Sequence, residues 1–336
     1  MRKTMLWAFL ALALSFFHAP AIWAEEPMPT SSSQTFQVEP PEGLPVQYAR
    51  ILGWRPAYET LNDALANQPL RSVGGWDVWV TVLEGADVDG QRYYRTGKGW
   101  MSARHLFLSE GSDLRGVQLR EYEGERIAMV YWPKVGVRAA PRASAPLAGS
   151  HIGYDVVPIL EERTTGGELW YRISNKGWLH SQYVRHLAGS ARPAEVSAED
   201  KWIEIDLSEQ VLVAHEGDTP VFATLTATGK APTTTIEGLF WITKKHAVDH
   251  MAGGWSTDDP YDLADVPWTM YFYSNYALHS AYWHDEFGEV RSHGCVNLSP
   301  FDAQWLFEWS GPTMPEGGSY VEVTDGNLGT WVWVHP

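Results

Sequence analysis

Apolar and polar residues alternate through "KWIEIDLSEQVLVAHEGDTPVFATLTATGK" (201–230) about a turn at Glu216-Gly217-Asp218, the period-two pattern of an antiparallel hairpin. "GLFWITKK" (238–245) and "WTMYFYSNYALHS" (268–280) read as further strands, rich in aromatic and β-branched residues. Between them "HAVDHMAGGWSTDDPYDLADVPW" (246–268) is dense in Gly, Asp and Pro and reads as a long ordered loop, of the kind that often serves as a lid or binding loop. The pattern turns helical only after Asn297. There Ser299 suits an N-cap, Pro300 the first helical position and Asp302 the first turn, with "FDAQWLFEW" as the body.

The N-terminal half carries an internal repeat. "YYRTGKGWMSARHL" (93–106) returns as "WYRISNKGWLHSQYVRHL" (170–187), and each copy follows a strand-rich run with a hairpin turn, Asp89-Gly90 in one and Gly166-Gly167 in the other. Two units of short strands predict two small barrels. Over nearly its whole length the second unit (126–188), from "GVRAAPRASAP" to "WYRISNKGWLHSQYV", resembles a bacterial SH3 (SH3b) domain. The first (46–110) resembles a divergent version, chiefly at its C-terminal end. The resemblance implies modules that bind cell-wall peptide or act as spacers. Trp100 and Trp178 follow a Lys-Gly pair in a short strand, a position more often barrel core than ligand groove.

Length and composition are consistent with two or three globular domains. The chain has 336 residues, 44% hydrophobic and 20% charged. Its 18 Trp and 15 Tyr are the unusual feature; such rings fill small β cores or line a sugar-binding face. Residues 1–24 read as a signal peptide, with Arg2 and Lys3 before an apolar run from Met5 to Phe17 and "AIWA" as the cleavage site. Residues 25–45, rich in Pro, Ser and Glu, read as a flexible linker. The expected location is the periplasm or cell envelope, with no integral membrane segment after cleavage. The formal charge is −16 and becomes two units more negative without Arg2 and Lys3, a poor match to nucleic acid or an anionic membrane.

An exported protein normally uses cysteines in pairs, yet Cys295 is alone in the sequence. It stands in "LHSAYWHDEFGEVRSHGCVNLSPF" (278–301), with His279, His284 and His293 as nearby bases. Gly294 allows a tight turn, the helix beyond Ser299 brings a positive dipole end, and backbone N–H groups of the turn could hold an oxyanion. These features fit acyl transfer through a thiol. His246 and His250 have ligand-like spacing only on a helix and lack a third partner, and no Gly-x-Ser-x-Gly elbow is present.

"SHGCVN", with His279 sixteen residues before Cys295, resembles the signature of the L,D-transpeptidase (YkuD) catalytic domain. The flanking "IEIDLSEQVLVAHEGD" and "TATGKAPTTTIEGLFWITKK" resemble its opening strands, over roughly 200–326. The family's usual Thr-Pro is missing from "TTTIEGLF". The fold implied is mainly β: two small barrels, then a β-rich catalytic domain (195–336) with a short helix after the cysteine. The resemblance implies Cys295 as nucleophile, His279 as general base and Ser280 as the residue orienting it. Ser292, His293 and Gly294 would shape the turn and, with the Cys295 N–H, the oxyanion hole, while Asn297 would hold the turn or contact substrate. His284 reads as a solvated loop residue. The implied reaction is peptidoglycan 3→3 cross-linking between stem peptides, with no metal or organic cofactor and with carbapenems acylating the same thiol. Hydrolysis of the acyl-enzyme and transfer to a protein lysine share these residues, and a silent wall-binding domain is the non-enzymatic alternative. Cysteine peptidases that carry SH3b modules place the cysteine before the histidine; here only His335 follows Cys295.

Overall fold

The computed structural model describes residues 34–255 and 257–336. The expected signal peptide, 1–24, lies outside the described residues. Among those described, no helix is long and apolar enough to cross a membrane.

Among the described residues, strands far outnumber helices. In the first unit, strand Asp77–Val88 pairs with Gln47–Ile51 on one side and Gln91–Thr96 on the other, and the latter pairs with Gly99–Ser102. The Asp89-Gly90 turn joins Val88 to Gln91 with both residues at positive φ, the geometry that makes Asp-Gly a favoured two-residue hairpin turn. Val80, Val82, Ile51 and Met101 fill its core. The second unit has a five-stranded sheet from Lys134 to His180 and a three-stranded sheet centred on Ile127–Val130. Its hairpin turns at Gly166-Gly167. The sequence repeat is repeated in structure: each Lys-Gly-Trp leads into a strand, a single 3-10 turn and a further strand. Trp100 and Trp178 are buried core residues in both copies.

The C-terminal domain opens with the expected hairpins. Strand Lys201–Asp206 pairs with Val211–Glu216, which pairs with Thr219–Leu225 around Gly217. Trp331–His335 adds in parallel to the first of these. Helix Pro300–Trp309 begins as its sequence specifies: Ser299 Oγ accepts the Asp302 N–H at 3.2 Å and Pro300 occupies the first turn. Ala303, Leu306 and Phe307 bury its inner face against Ile203, Met270, Leu278 and Val296.

Asp302 is buried, accepting the Gly116 N–H at 2.7 Å and the Thr224 hydroxyl, so it ties the helix to the inter-domain segment and the neighbouring sheet. Burial pushes its carboxyl up to about 6 against those bonds. An acid raised on folding contributes stability that is complete below its unfolded value, about 3.8, and is lost as pH climbs through about 6. Asp302→Asn keeps a carbonyl for Gly116 and an amide for Thr224. It is expected to flatten the fall in melting temperature between pH 4 and pH 7; an unchanged slope would contradict this origin.

Two expectations are corrected. Residues 246–268 are not a loop: Lys244–Gly253 and Tyr261–Tyr273 form a long antiparallel hairpin, its register shifted between Asp249 and Met251. Cross-strand bonds hold it, Tyr271 Oη donating to Asp249 at 2.8 Å and His250 Nε2 lying 2.6 Å from Asp262. His246 and His250 thus sit on a strand, His246 packed edge-on against Tyr271 and Tyr320. The stretch expected to be a flexible linker is also tied down from Gln34 onward. Gln34–Phe36 pairs with Asp87–Gly85, and the Phe36 ring fills the space that Gly85 leaves.

The hairpin also joins the two halves of the chain. Tyr261–Leu263 pairs in parallel with Asp77–Trp79, making the first unit's sheet continuous with that of the C-terminal domain. Tyr48 stacks on Tyr282 at 3.6 Å, and Tyr48 Oη donates to the Asp265 carbonyl at 2.7 Å. The first unit is therefore part of the wall around the site below.

Candidate active site

Strand Tyr276–Ser280 runs parallel to Val296–Leu298, with His279 opposite Asn297. Side chains two apart on a strand share a face. Cys295, one residue before its strand, therefore projects to the same side as Asn297 and His279. Both Cys295 and His279 line a cleft of about 620 Å³.

His279 is 2% exposed, and its Nδ1 donates to the Ser280 carbonyl at 3.0 Å. That bond fixes the ring proton on Nδ1 and leaves Nε2 with its lone pair, the tautomer a general base requires. Burial holds the imidazole down to about 4, only partly offset by the Ser280 carbonyl. Trp283 packs beside the ring at 5.6 Å.

Cys295 is half-buried, its thiol donating weakly to the Asn275 carbonyl at 3.6 Å. Burial pushes the thiol up to about 11, more than the Ala277 N–H beside the sulfur takes back. At neutral pH the resting pair is thus a thiol and a neutral imidazole. Attack on a carbonyl then needs the proton to pass from sulfur to His279 in the same step. Alkylation of Cys295 by iodoacetamide is expected to accelerate about tenfold per pH unit from pH 7 to pH 10, following the thiolate fraction. A plateau near neutrality would instead reveal a preformed thiolate–imidazolium pair.

The turn before the cysteine is locked on every side. Ser292 Oγ accepts the Gly294 N–H at 3.0 Å and donates to the Cys295 carbonyl. The Gly294 carbonyl accepts the Thr235 hydroxyl at 2.8 Å, and Thr235 in turn accepts the Gly229 N–H. Gly294 has φ +126°, and a Cβ there would come within 2.9 Å of the Tyr276 ring; only glycine fits. Its N–H, committed to Ser292, is not among the donors available to an oxyanion. His293 packs on Tyr261 at 4.9 Å, with Nε2 3.3 Å from Asp259. Asp259, on the hairpin tip, is also bound by Lys230 at 2.7 Å, which holds its carboxyl below the usual range.

Asn297 is tied to a neighbouring segment: its N–H and carbonyl pair with Ala227 at 3.1 and 3.0 Å, and its amide lies 2.9 Å from His284 Nε2. His284 is a correction. It is buried beneath the site rather than solvated, packed on Phe287 at 5.0 Å, and burial holds it far below its ordinary value. His335 lies apart, 3.0 Å from the buried Glu204.

Sequence reasoning passed over Thr235, Asn275, Tyr276 and Trp283 from the C-terminal domain and Arg50, Trp76 and Asp77 from the first unit, all at the turn or in the cleft wall. Thr235 had a signal, since it sits in the stretch that lacks the family's Thr-Pro. The first-unit residues had none, being some two hundred positions away from Cys295.

Residues 200–334 match the family model of the L,D-transpeptidase catalytic domain, YkuD, so this part of the chain carries a domain of that family. No curated protein matches the chain. Among solved structures, an Enterococcus faecium L,D-transpeptidase C442S mutant is 26% identical, covering 41% of this chain and 50% of that one, with a TM-score of 0.33. The catalytic domain from E. faecium L,D-transpeptidase gives 26% identity over 41% of this chain and 98% of that one, TM-score 0.33. An L,D-transpeptidase from Mycobacterium smegmatis is 16% identical over 73% and 91%, TM-score 0.34. The chain thus spans half the length of the first of these.

Proposed function

We propose that the protein is an exported peptidoglycan L,D-transpeptidase that joins stem peptides through a thioester on Cys295. The observation that carries this reading is the pairing of strands Tyr276–Ser280 and Val296–Leu298, which sets Cys295 and His279 on one face of one cleft with His279 Nε2 unprotonated. Cys295 attacks the carbonyl between the L-centre of diaminopimelate and D-Ala of a tetrapeptide stem while His279 takes the thiol proton. The Cys295 N–H stabilises the tetrahedral oxyanion, and Ser292 and Thr235 hold the turn that aims it. The tetrahedral intermediate collapses, the C–N bond breaks, and D-Ala leaves with the proton from His279. The side-chain amine of a second stem then attacks the thioester, His279 accepts its proton, and the thiol is released with a 3→3 amide formed. A carbapenem would open its ring on the same sulfur. The SH3b-like modules would hold the enzyme against the wall.

The test is incubation of the mature protein with purified disaccharide-tetrapeptide, the products being resolved by liquid chromatography and mass spectrometry. A cross-linked dimer lacking one D-Ala supports the reading. Accumulation of tripeptide alone makes water the acceptor and the enzyme an L,D-carboxypeptidase.

A further inference from the structure

Three exposed tryptophans that belong to no core lie on neighbouring elements, and one of them, Trp76, lines the cleft. Trp54 and Trp76 come from the first unit and Trp255 from the hairpin tip; they are 60%, 55% and 63% exposed. Large apolar side chains grouped in the open mark a binding surface more often than chance exposure does. The arrangement is built. Trp76 meets Trp255 at 6.1 Å with the rings inclined at 66°, so two faces form an angled shelf. The Trp54 ring lies against the backbone of Gly75, where a Cβ would come within 2.9 Å of it. The parallel pairing of Asp77 with Tyr261 fixes the residue next to Trp76 directly to the hairpin that carries Trp255. Trp76 and Gly75 line the same cleft as Cys295, so the shelf is continuous with the site of chemistry.

We infer that this shelf is a saccharide subsite, binding the N-acetylated sugar of the glycan strand from which the donor stem hangs. The inference rests on the function proposed above and names the part of its substrate that the catalytic turn does not touch. An uncharged pyranose chair offers a face of axial C–H bonds that stacks on an indole with little ordering cost, because the indole is rigid and needs only two torsions fixed. The carbonyl attacked by Cys295 lies three residues from the sugar, and three extended residues reach about 10 Å. Trp76, in the lining of the cleft that holds Cys295, stands where such a stem would leave it. An anionic membrane is a poor occupant for a chain with a formal charge of −16.

The experiment uses the full mature chain carrying Cys295→Ala, which binds without turnover. Isothermal titration compares the disaccharide-tetrapeptide with the same tetrapeptide lacking sugar. The expected result is that the sugar improves affinity about tenfold or more, and that Trp76→Ala or Trp255→Ala, each added separately, brings the ratio of the two affinities to about one. Trp76→Phe should retain part of the difference. Both positions are exposed and lie on different elements, and near-UV circular dichroism confirms the fold of each variant. The inference is overturned if the two ligands bind alike in the parent, or if the ratio survives both substitutions. It is equally overturned if sedimentation shows a dimer that Trp76→Ala dissolves, which would make the shelf a contact between copies. Since binding is read without turnover, a wild-type protein that shows the sugar effect but makes no product would defeat the proposed reaction and leave the subsite standing.

Discussion

Cys295→Ala is expected to abolish both product formation and the covalent adduct seen by mass spectrometry, and His279→Ala to slow acylation by a factor on the order of 10²–10⁴. The two effects differ in kind. Without sulfur no thioester can form, so nothing remains to measure above background. Without His279 the nucleophile is present, but its proton has no acceptor, and burial keeps the thiol at about 11. Raising the pH supplies thiolate directly, so the His279→Ala defect should shrink as pH climbs from 7 to 10. The parent should hold a nearly flat rate over the same range, since His279 is already neutral well above its value of about 4. A defect independent of pH would mean that His279 serves by packing alone. His279→Gln, which fills the space beside Trp283, separates the two cases.

Gly294→Ala is expected to lower turnover by about 10²-fold with the fold retained. The residue sits at φ +126° with the Tyr276 ring 2.9 Å from where the methyl would be, so either the backbone or the tyrosine must move. Displacement of the turn breaks the bonds that Ser292 and Thr235 make to it and moves the Cys295 N–H away from the oxyanion. Misplacement by about 1 Å in a reacting group costs about that factor. The loss should fall on kcat more than on KM, because in the proposed reaction the turn meets the reacting carbonyl and not the remainder of the stem. Tyr276→Ala relieves the clash, and the double variant should recover part of the rate if sterics are the cause.

The parts of this architecture that were legible in the sequence are the ones determined locally. Ser299, Pro300 and Asp302 announce their helix because capping is satisfied within one turn of chain. Asp89-Gly90 and Gly166-Gly167 announce hairpins because few residues adopt positive φ at low cost. The likeness around "SHGCVN" pointed to Cys295 and His279, and the parallel strands that bring them together are formed by segments close in sequence. What stayed hidden depends on distant partners. The 244–273 hairpin is stabilised by cross-strand side-chain bonds and by Asp77–Trp79 along its edge, none visible in a stretch whose Gly, Asp and Pro read as a loop. His284 precedes Asp285 and Glu286 in sequence, yet Asn297, brought in by the pairing of its strand, meets its Nε2 and helps bury it. The share of the first unit in the cleft wall follows from that same edge pairing, across more than 180 residues of chain.

The central claim, a thioester on Cys295 resolved by a second stem, is tested most directly by intact-protein mass spectrometry during turnover of disaccharide-tetrapeptide, beside the Cys295→Ala protein. The account predicts a transient mass increase equal to the donor less D-Ala on the parent only, decaying as 3→3 dimer appears. Dimer formed without that adduct, or by the Cys295→Ala protein, would contradict it.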